Sequence, residues 1–258
     1  MVGPWQVPVA DCAVTLADFT GFRGEAFCMA ERAPLAALDA PASGRMAVGE
    51  AITNLLAAPV ELARVKLSAN WMAACGEPGE DAALYDTVRA VAMELCPALG
   101  IGIPVGKDSL SMRSQWSEGA EARKVVAPVS LVVSAFATLD DVRGTLTPQL
   151  QRIEPAAGGQ ACGDTTLLLV DLGWGRKRLA GSVLAQVLGR FGDEVPDLDD
   201  PARLKSLAAA IGELRAQGRI LAYHDRSDGG LWASACEMGF AGHLGVSLNV
   251  DILVTEGD

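Results

Sequence analysis

The 258-residue chain is half hydrophobic, with 32 acidic against 21 basic side chains and a net charge of −11. That much apolar material fills a sizeable core, and the length fits one large domain or two smaller ones. A net anion repels phosphate backbones and acidic headgroups, so nucleic acid and membranes are poor partners. A nucleotide is acceptable if Mg²⁺ and backbone amides offset the repulsion.

The N-terminal residues have neither the basic start nor the apolar stretch of a leader. Residues 5–15 read as a strand that carries one carboxylate, Asp11. Burying that group is costly unless it is paired or bound to a metal; the alternative is a position facing outward. Residues 43–58 read as a helix, with Ser43 as its cap, Val48, Ile52, Leu55 and Leu56 as its apolar stripe, and Pro59 as its stop. Glu50 and Asn54 lie four apart, so they share a face roughly opposite Val48 and Ile52. Two hard oxygen donors at that spacing suit Mg²⁺, and the bland alternative is a solvated face.

Residues 65–68 read as a short strand. Gly79, Glu80 and Asp81 open a second helix, where the dipole favours acidic residues, and Pro97 closes it. Residues 101–105 read as a strand entering a loop over 106–109. That loop fails the Walker pattern, because Ile101 stands where the first glycine belongs and Asp108 where Ser or Thr belongs. Lys107 there is a solvated turn residue or a phosphate neutraliser. Residues 125–139 read as a buried strand, shorter than the roughly 20 apolar residues of a membrane span.

Periodicity is lost over 151–163, which reads as a linker between one domain at 1–150 and another at 164–258. Beyond it the pattern predicts a strand over 165–172, a helix from about Ser182, a helix over 201–217 and a strand over 220–223. Arg178 breaks a dinucleotide fingerprint after Gly173 and Gly175. In the run that follows Tyr223, Ser227 caps the next helix, and Gly229 and Gly230 leave its first turn bare for a phosphate. Asp225 stands beside that turn as a candidate metal ligand; the alternative is a turn that needs glycine for its backbone angles. Six scattered cysteines without CxxC and two histidines leave little supply for a zinc site or a Ser-His-Asp triad. Reduced thiols in a cytoplasmic protein are expected. The element order favours an α+β architecture over a doubly wound sheet.

The strings MVGPWQVPVADCAV, ERAPLAALDAPASGRMAVGEAITNL, KLSANWMAACGEPGEDAALYDTV, ELCPALGIGIPVGKDSLSM and LAYHDRSDGGL occur in this order and spacing. Together they resemble the large, single-chain form of phosphoribosylformylglycinamidine synthase, over nearly the whole chain except 151–163. The resemblance implies the second of two tandem copies of an aminoimidazole ribonucleotide synthetase-like fold, each with two α/β domains built on mixed sheets. It implies a second domain that is incomplete, truncated at its C-terminal side, and a first synthetase half and a glutaminase domain outside the chain. The activity implied is a cytoplasmic, ATP-dependent ligase of purine biosynthesis. It makes formylglycinamidine ribonucleotide from formylglycinamide ribonucleotide, with glutamine as nitrogen donor. By motif, Asp11 in VADC, Glu50 and Asn54 in GEAITN, and Asp225 in HDRSD fall on the family's Mg²⁺ positions. Ala10 and Ser227 fall on positions that touch ATP or ADP. No residue is assigned a catalytic role. Two roles stay open: a direct catalytic contribution, or a nucleotide-holding structural module, in which case the chain alone makes no product.

Overall fold

Alternating small apolar side chains build the central sheet of the computed structural model, which describes residues 3, 6–152, 165–226 and 228–253. Strand β1 is Ala13–Leu16 and β2 is Gly24–Glu31; β3 is Lys66–Met72 and β4 is Gly102–Ser109. Strands β5, Arg113–Glu118, and β6, Glu121–Val126, precede β7, Ser130–Leu139. The main sheet has the order β1-β2-β7-β3-β4. Its pairs are antiparallel except β3 with β4, so the sheet is mixed. Along β2 and β7 every second residue is buried, among them Ala26, Cys28, Ala30, Leu131, Val133 and Ala135.

Helix α1, Ala40–Leu55, lies on that buried face through Ala47, Val48, Ala51, Ile52 and Leu55. It starts before the predicted cap because Asp39 takes that role, accepting from the Ala42 N–H at 2.9 Å. Ser43 falls inside the helix and donates to the Arg32 carbonyl at 2.6 Å. Gly44 lets the next helix come close: a Cβ there would sit 2.6 Å from Thr87 Cγ2 and 2.9 Å from Val91 Cγ2. That next helix, α2, is Glu80–Val88; it runs on as a π-helical segment, Arg89–Leu95, and then α3, Cys96–Leu99. Pro97 does not close it: the helix runs through the proline at the junction of the π-helical segment and α3. Gly100, at φ 76°, ends the run.

Three sequence expectations change here. The strand expected over 5–15 is reduced to β1, with positive φ at Gln6 and Val9 before it. The expected loop over 106–109 is the end of β4, where Lys107 Nζ donates to Ser109 Oγ at 2.6 Å. The strand expected over 125–139 is split at residues 127–129, where Pro128 lacks a ladder donor; β6 pairs with β5 in a separate hairpin.

Beyond the linker, helices dominate: α4 is Val183–Val187, α5 Pro201–Ala216 and α6 Gly230–Gly242. The strands expected over 165–172 and 220–223 do not form among the described residues. A strand exists only as a pairing, and no partner strand lies alongside these runs in the described residues. Instead this part packs on the first sheet's helices. Leu204 and Ile211 of α5 join the core around Ile52, and Asp197 takes two hydrogen bonds from Arg45, at 2.8 and 2.6 Å. The linker expected at 151–163 lies, apart from its first two residues, outside the described residues. No described helix is long and apolar enough to cross a membrane. Cys12, Cys28, Cys75, Cys96 and Cys236 are unbridged.

Candidate metal and nucleotide site

Two ties lay the segment around Tyr223 across the end of α1. The Tyr223 N–H donates to the Thr147 carbonyl at 3.0 Å, and its hydroxyl donates to the Thr53 carbonyl at 2.8 Å. His224 and Asp225 follow and meet Asp11, which arrives from the segment just before β1. The Asp11 side chain is 1% exposed, and its Oδ1 receives His224 Nδ1 at 2.7 Å and the Asp225 N–H at 3.2 Å. Its Oδ2 is buried and has no hydrogen-bond partner. One ligand atom each from Asp11, His224 and Asp225 lie within 4.8 Å of one another.

The carboxylates are held under electrostatic stress. Burial, then the neighbouring Asp11 and Glu50, push Asp225 up to about 7. Burial pushes Glu50 up to about 6, although Arg32 beside it pulls the other way. Arg32 Nε lies 3.2 Å from Glu50 Oε2, close enough for charge attraction but outside hydrogen-bond alignment. Its Nη1 donates to Asp228 at 2.8 Å. Burial would lower His224, but its hydrogen bonds to Asp11 and Glu237 outweigh that and raise it to about 9.

Raised in this way, His224 favours its protonated form, which offers no lone pair to a metal. Both ring nitrogens already face carboxylates at 2.7 Å, Asp11 on one side and Glu237 on the other. The residues that suit a divalent cation are the acidic ones: an orphaned buried oxygen on Asp11, and two carboxyls, Asp225 and Glu50, pushed up chiefly by burial. Glu50 does not come within 4.8 Å of all three clustered residues, although its charge reaches Asp225. Asn54 is buried one turn further along α1, and Ala10 is half-buried just before Asp11. Ser227 lies outside the described residues.

Next to this cluster, α6 begins without a side-chain cap. Gly229 and Gly230 have φ 86° and 64°, and a Cβ on Gly229 would lie 2.6 Å from the Ala233 Cβ. The bare first turn leaves N–H groups open to an anion. Sequence reasoning selected Asp11, Glu50 and Asp225 but missed His224, Glu237, Arg32 and Asp228. His224 carried a local signal, its place directly before Asp225. Glu237 carried none, since only the direction of α6 brings it back.

A cation held by Asp225 and Glu50 would take their ionised forms, and their values lie at about 7 and about 6. Below those values protons compete for the same oxygens, so affinity should fall as pH drops from 8 to 6. The fall approaches about tenfold per pH unit for each proton displaced. Titration with Mn²⁺ followed by electron paramagnetic resonance at pH 8, 7 and 6 measures it. Equal affinities across that range would remove both residues from the site.

The family of the FGAR-AT PurM_N-like domain matches residues 1–138, and that of the AIR synthase related protein C-terminal domain matches residues 164–257. Among solved structures, Thermotoga maritima PurL complexed with FGAR aligns at 14% identity, over 93% of this chain and 34% of that one, with a TM-score of 0.60. PurLQS from Thermotoga maritima aligns at 14% identity, over 84% of this chain and 30% of that one, at 0.51. The HypE–HypF complex aligns at 16% identity, over 93% and 67%, also at 0.51. At these identities the likeness shows a shared fold, α+β and AIR synthase-like. The chain spans about a third or less of the Thermotoga maritima chains.

Proposed function

Because the chain belongs to the FGAR-AT PurM_N-like family through residues 1–138, we propose that it carries a Mg²⁺–nucleotide site of a purine-biosynthetic ligase. That ligase converts formylglycinamide ribonucleotide, glutamine and ATP to formylglycinamidine ribonucleotide in the cytoplasm. It works with a further synthetase half and a glutaminase that supplies ammonia. Two AIR synthase-like domains, 1–150 and 164–258, joined by 151–163, make up this segment.

The observation that carries the reading is the unpartnered, buried Asp11 Oδ2 beside Asp225, with the bare start of α6 following in the same segment. Asp11, Glu50, Asn54 and Asp225 would hold Mg²⁺, and Ala10 and Ser227 would touch ATP or ADP. The ion, when bound, supplies positive charge against phosphate oxygens. The chain's own groups do the rest: the first N–H groups of α6 bind a phosphate edge, and His224 holds its proton between Asp11 and Glu237. The engagement of both ring nitrogens favours a second, narrower reading, a nucleotide-holding module without chemistry of its own. The site's histidine has both nitrogens engaged and is not free to move a proton for a substrate.

Thermal melting with and without Mg–ADP tests the site. At about 100 times Kd the ligand stabilises by about 2.7 kcal/mol, and a tenfold weaker site halves that gain. Glu50→Ala is expected to halve the melting shift at least, with little change in the nucleotide-free chain. Equal shifts in both proteins would exclude Glu50. Steady product formation by the pure chain supplied with ammonia would refute the narrower reading.

A further inference from the structure

We infer that His224 and Glu237 are positioning residues for Asp11: Glu237 fixes the imidazole, and the imidazole fixes the Asp11 carboxylate with Oδ2 turned to the ligand. The inference rests on the metal-site reading above. The geometry is one-sided. Oδ1 receives two donors, His224 Nδ1 at 2.7 Å and the Asp225 N–H at 3.2 Å, and Oδ2 receives none. A free aspartate exchanges its two oxygens by rotating about its last bond; two donors on one oxygen stop that rotation. The imidazole in turn is 6% exposed and is held from its far side by Glu237 Oε2 at 2.7 Å.

Glu237 sits on α6, the same helix whose uncapped start is open to an anion. The cation site and the phosphate site therefore share one rigid support, connected through Glu237, His224 and Asp11. Ligating carboxylates are commonly held this way by an outer layer of hydrogen bonds, and losing that layer typically weakens metal binding about 10–100-fold.

Two substitutions separate positioning from a plain structural tie. Asn places an amide nitrogen near the imidazole Nδ1, so His224→Asn keeps a donor for Asp11 and gives up Glu237. Gln reaches the Nε2 position, so His224→Gln keeps Glu237 and gives up Asp11. Each variant is titrated, as the 258-residue chain, with Mn²⁺ alone by electron paramagnetic resonance, and melted without metal. His224→Gln is expected to weaken Mn²⁺ binding about 10–100-fold, and His224→Asn by clearly less, whatever the order of their metal-free melting temperatures. The same affinity in wild type and His224→Gln overturns the inference, as does an equal loss in both variants. Should His224→Gln fail to fold, Glu237→Ala keeps the test, because Glu237 is the more exposed member of the pair, at 35% against 6%. It should weaken Mn²⁺ several-fold, and unchanged affinity overturns the inference. A wild-type chain that binds no Mn²⁺ overturns the metal-site reading together with this inference, and is told apart by that control.

Discussion

Asp225→Asn is expected to raise the melting temperature of the metal-free chain by several degrees at pH 8, while removing most of its response to Mg–ADP. The two effects have opposite signs for one reason. In the folded chain Asp225 is raised from 3.8 to about 7, by burial first and then by Asp11. Below the ordinary value the acid is protonated whether folded or not, and its charge costs nothing. Between the two values the folded state keeps a proton that the unfolded chain has released, so stability declines as pH rises. Above about 7 the folded chain bears the full cost of the charge, on the order of a few kcal/mol. Asparagine mimics the protonated acid and relieves that cost, and a chain of this size gains about 2–4 °C per kcal/mol. At pH 5, where wild type already holds the proton, the gain should shrink. Loss of the ligand response follows because the amide supplies no charge to a cation. A variant that melts lower than wild type without metal, yet keeps the Mg–ADP shift, would contradict both the strain and the ligand role.

Leu204→Ala should cost about 2–5 kcal/mol, a fall of roughly 5–15 °C in melting temperature. Leu204 is 0% exposed and belongs to α5, yet it is part of the same hydrophobic core as Ile52 and Leu55 of α1. The helix therefore closes the core that the first sheet and α1 leave open, and it lies in the part of the chain that carries His224 and Asp225. Leu168 provides the control: it is 83% exposed, and its replacement by Ala should stay within about 0.5 kcal/mol. Circular dichroism melts of both variants decide the matter. Equal melting temperatures would mean that α5 is not packed as described.

The acidic candidates were legible because ligand chemistry is local, and the structure brings Asp11 and Asp225 together while leaving Glu50 outside their cluster. A carboxylate in an apolar segment, two oxygen donors one helical turn apart and an acid beside a double glycine marked Asp11, Glu50 and Asp225 from sequence. The ion pairs around them were not legible. Arg32 reaches Glu50 only because β2 ends at Glu31 beside the start of α1, and Glu237 reaches His224 only because α6 turns back over it. Secondary structure followed the same division. Helices α1, α2 and α5 showed their periodicity, although Asp39 displaced Ser43 as a cap because its side chain is the one aligned with the Ala42 N–H. Strands depended on partners: β2 runs through Ala26, Phe27, Cys28, Met29 and Ala30 without a polar break, so its alternate burial does not show as alternation in the sequence. The runs over 165–172 and 220–223 have composition suited to strands and no strand to pair with among the described residues.

Arg32 has a bearing on how the site responds to dissolved salt. Its guanidinium already spans Glu50 on α1 and Asp228 in the turn before α6, so part of the local negative charge is compensated from within. Any cation that draws Glu50 inward competes with that guanidinium for one carboxylate. Filling the site is then an exchange of counter-ions, with a net change in local charge smaller than the charge of the incoming ion. Screening acts on that net change. Ligand affinity should accordingly depend less steeply on ionic strength than the chain's overall charge of −11 would suggest.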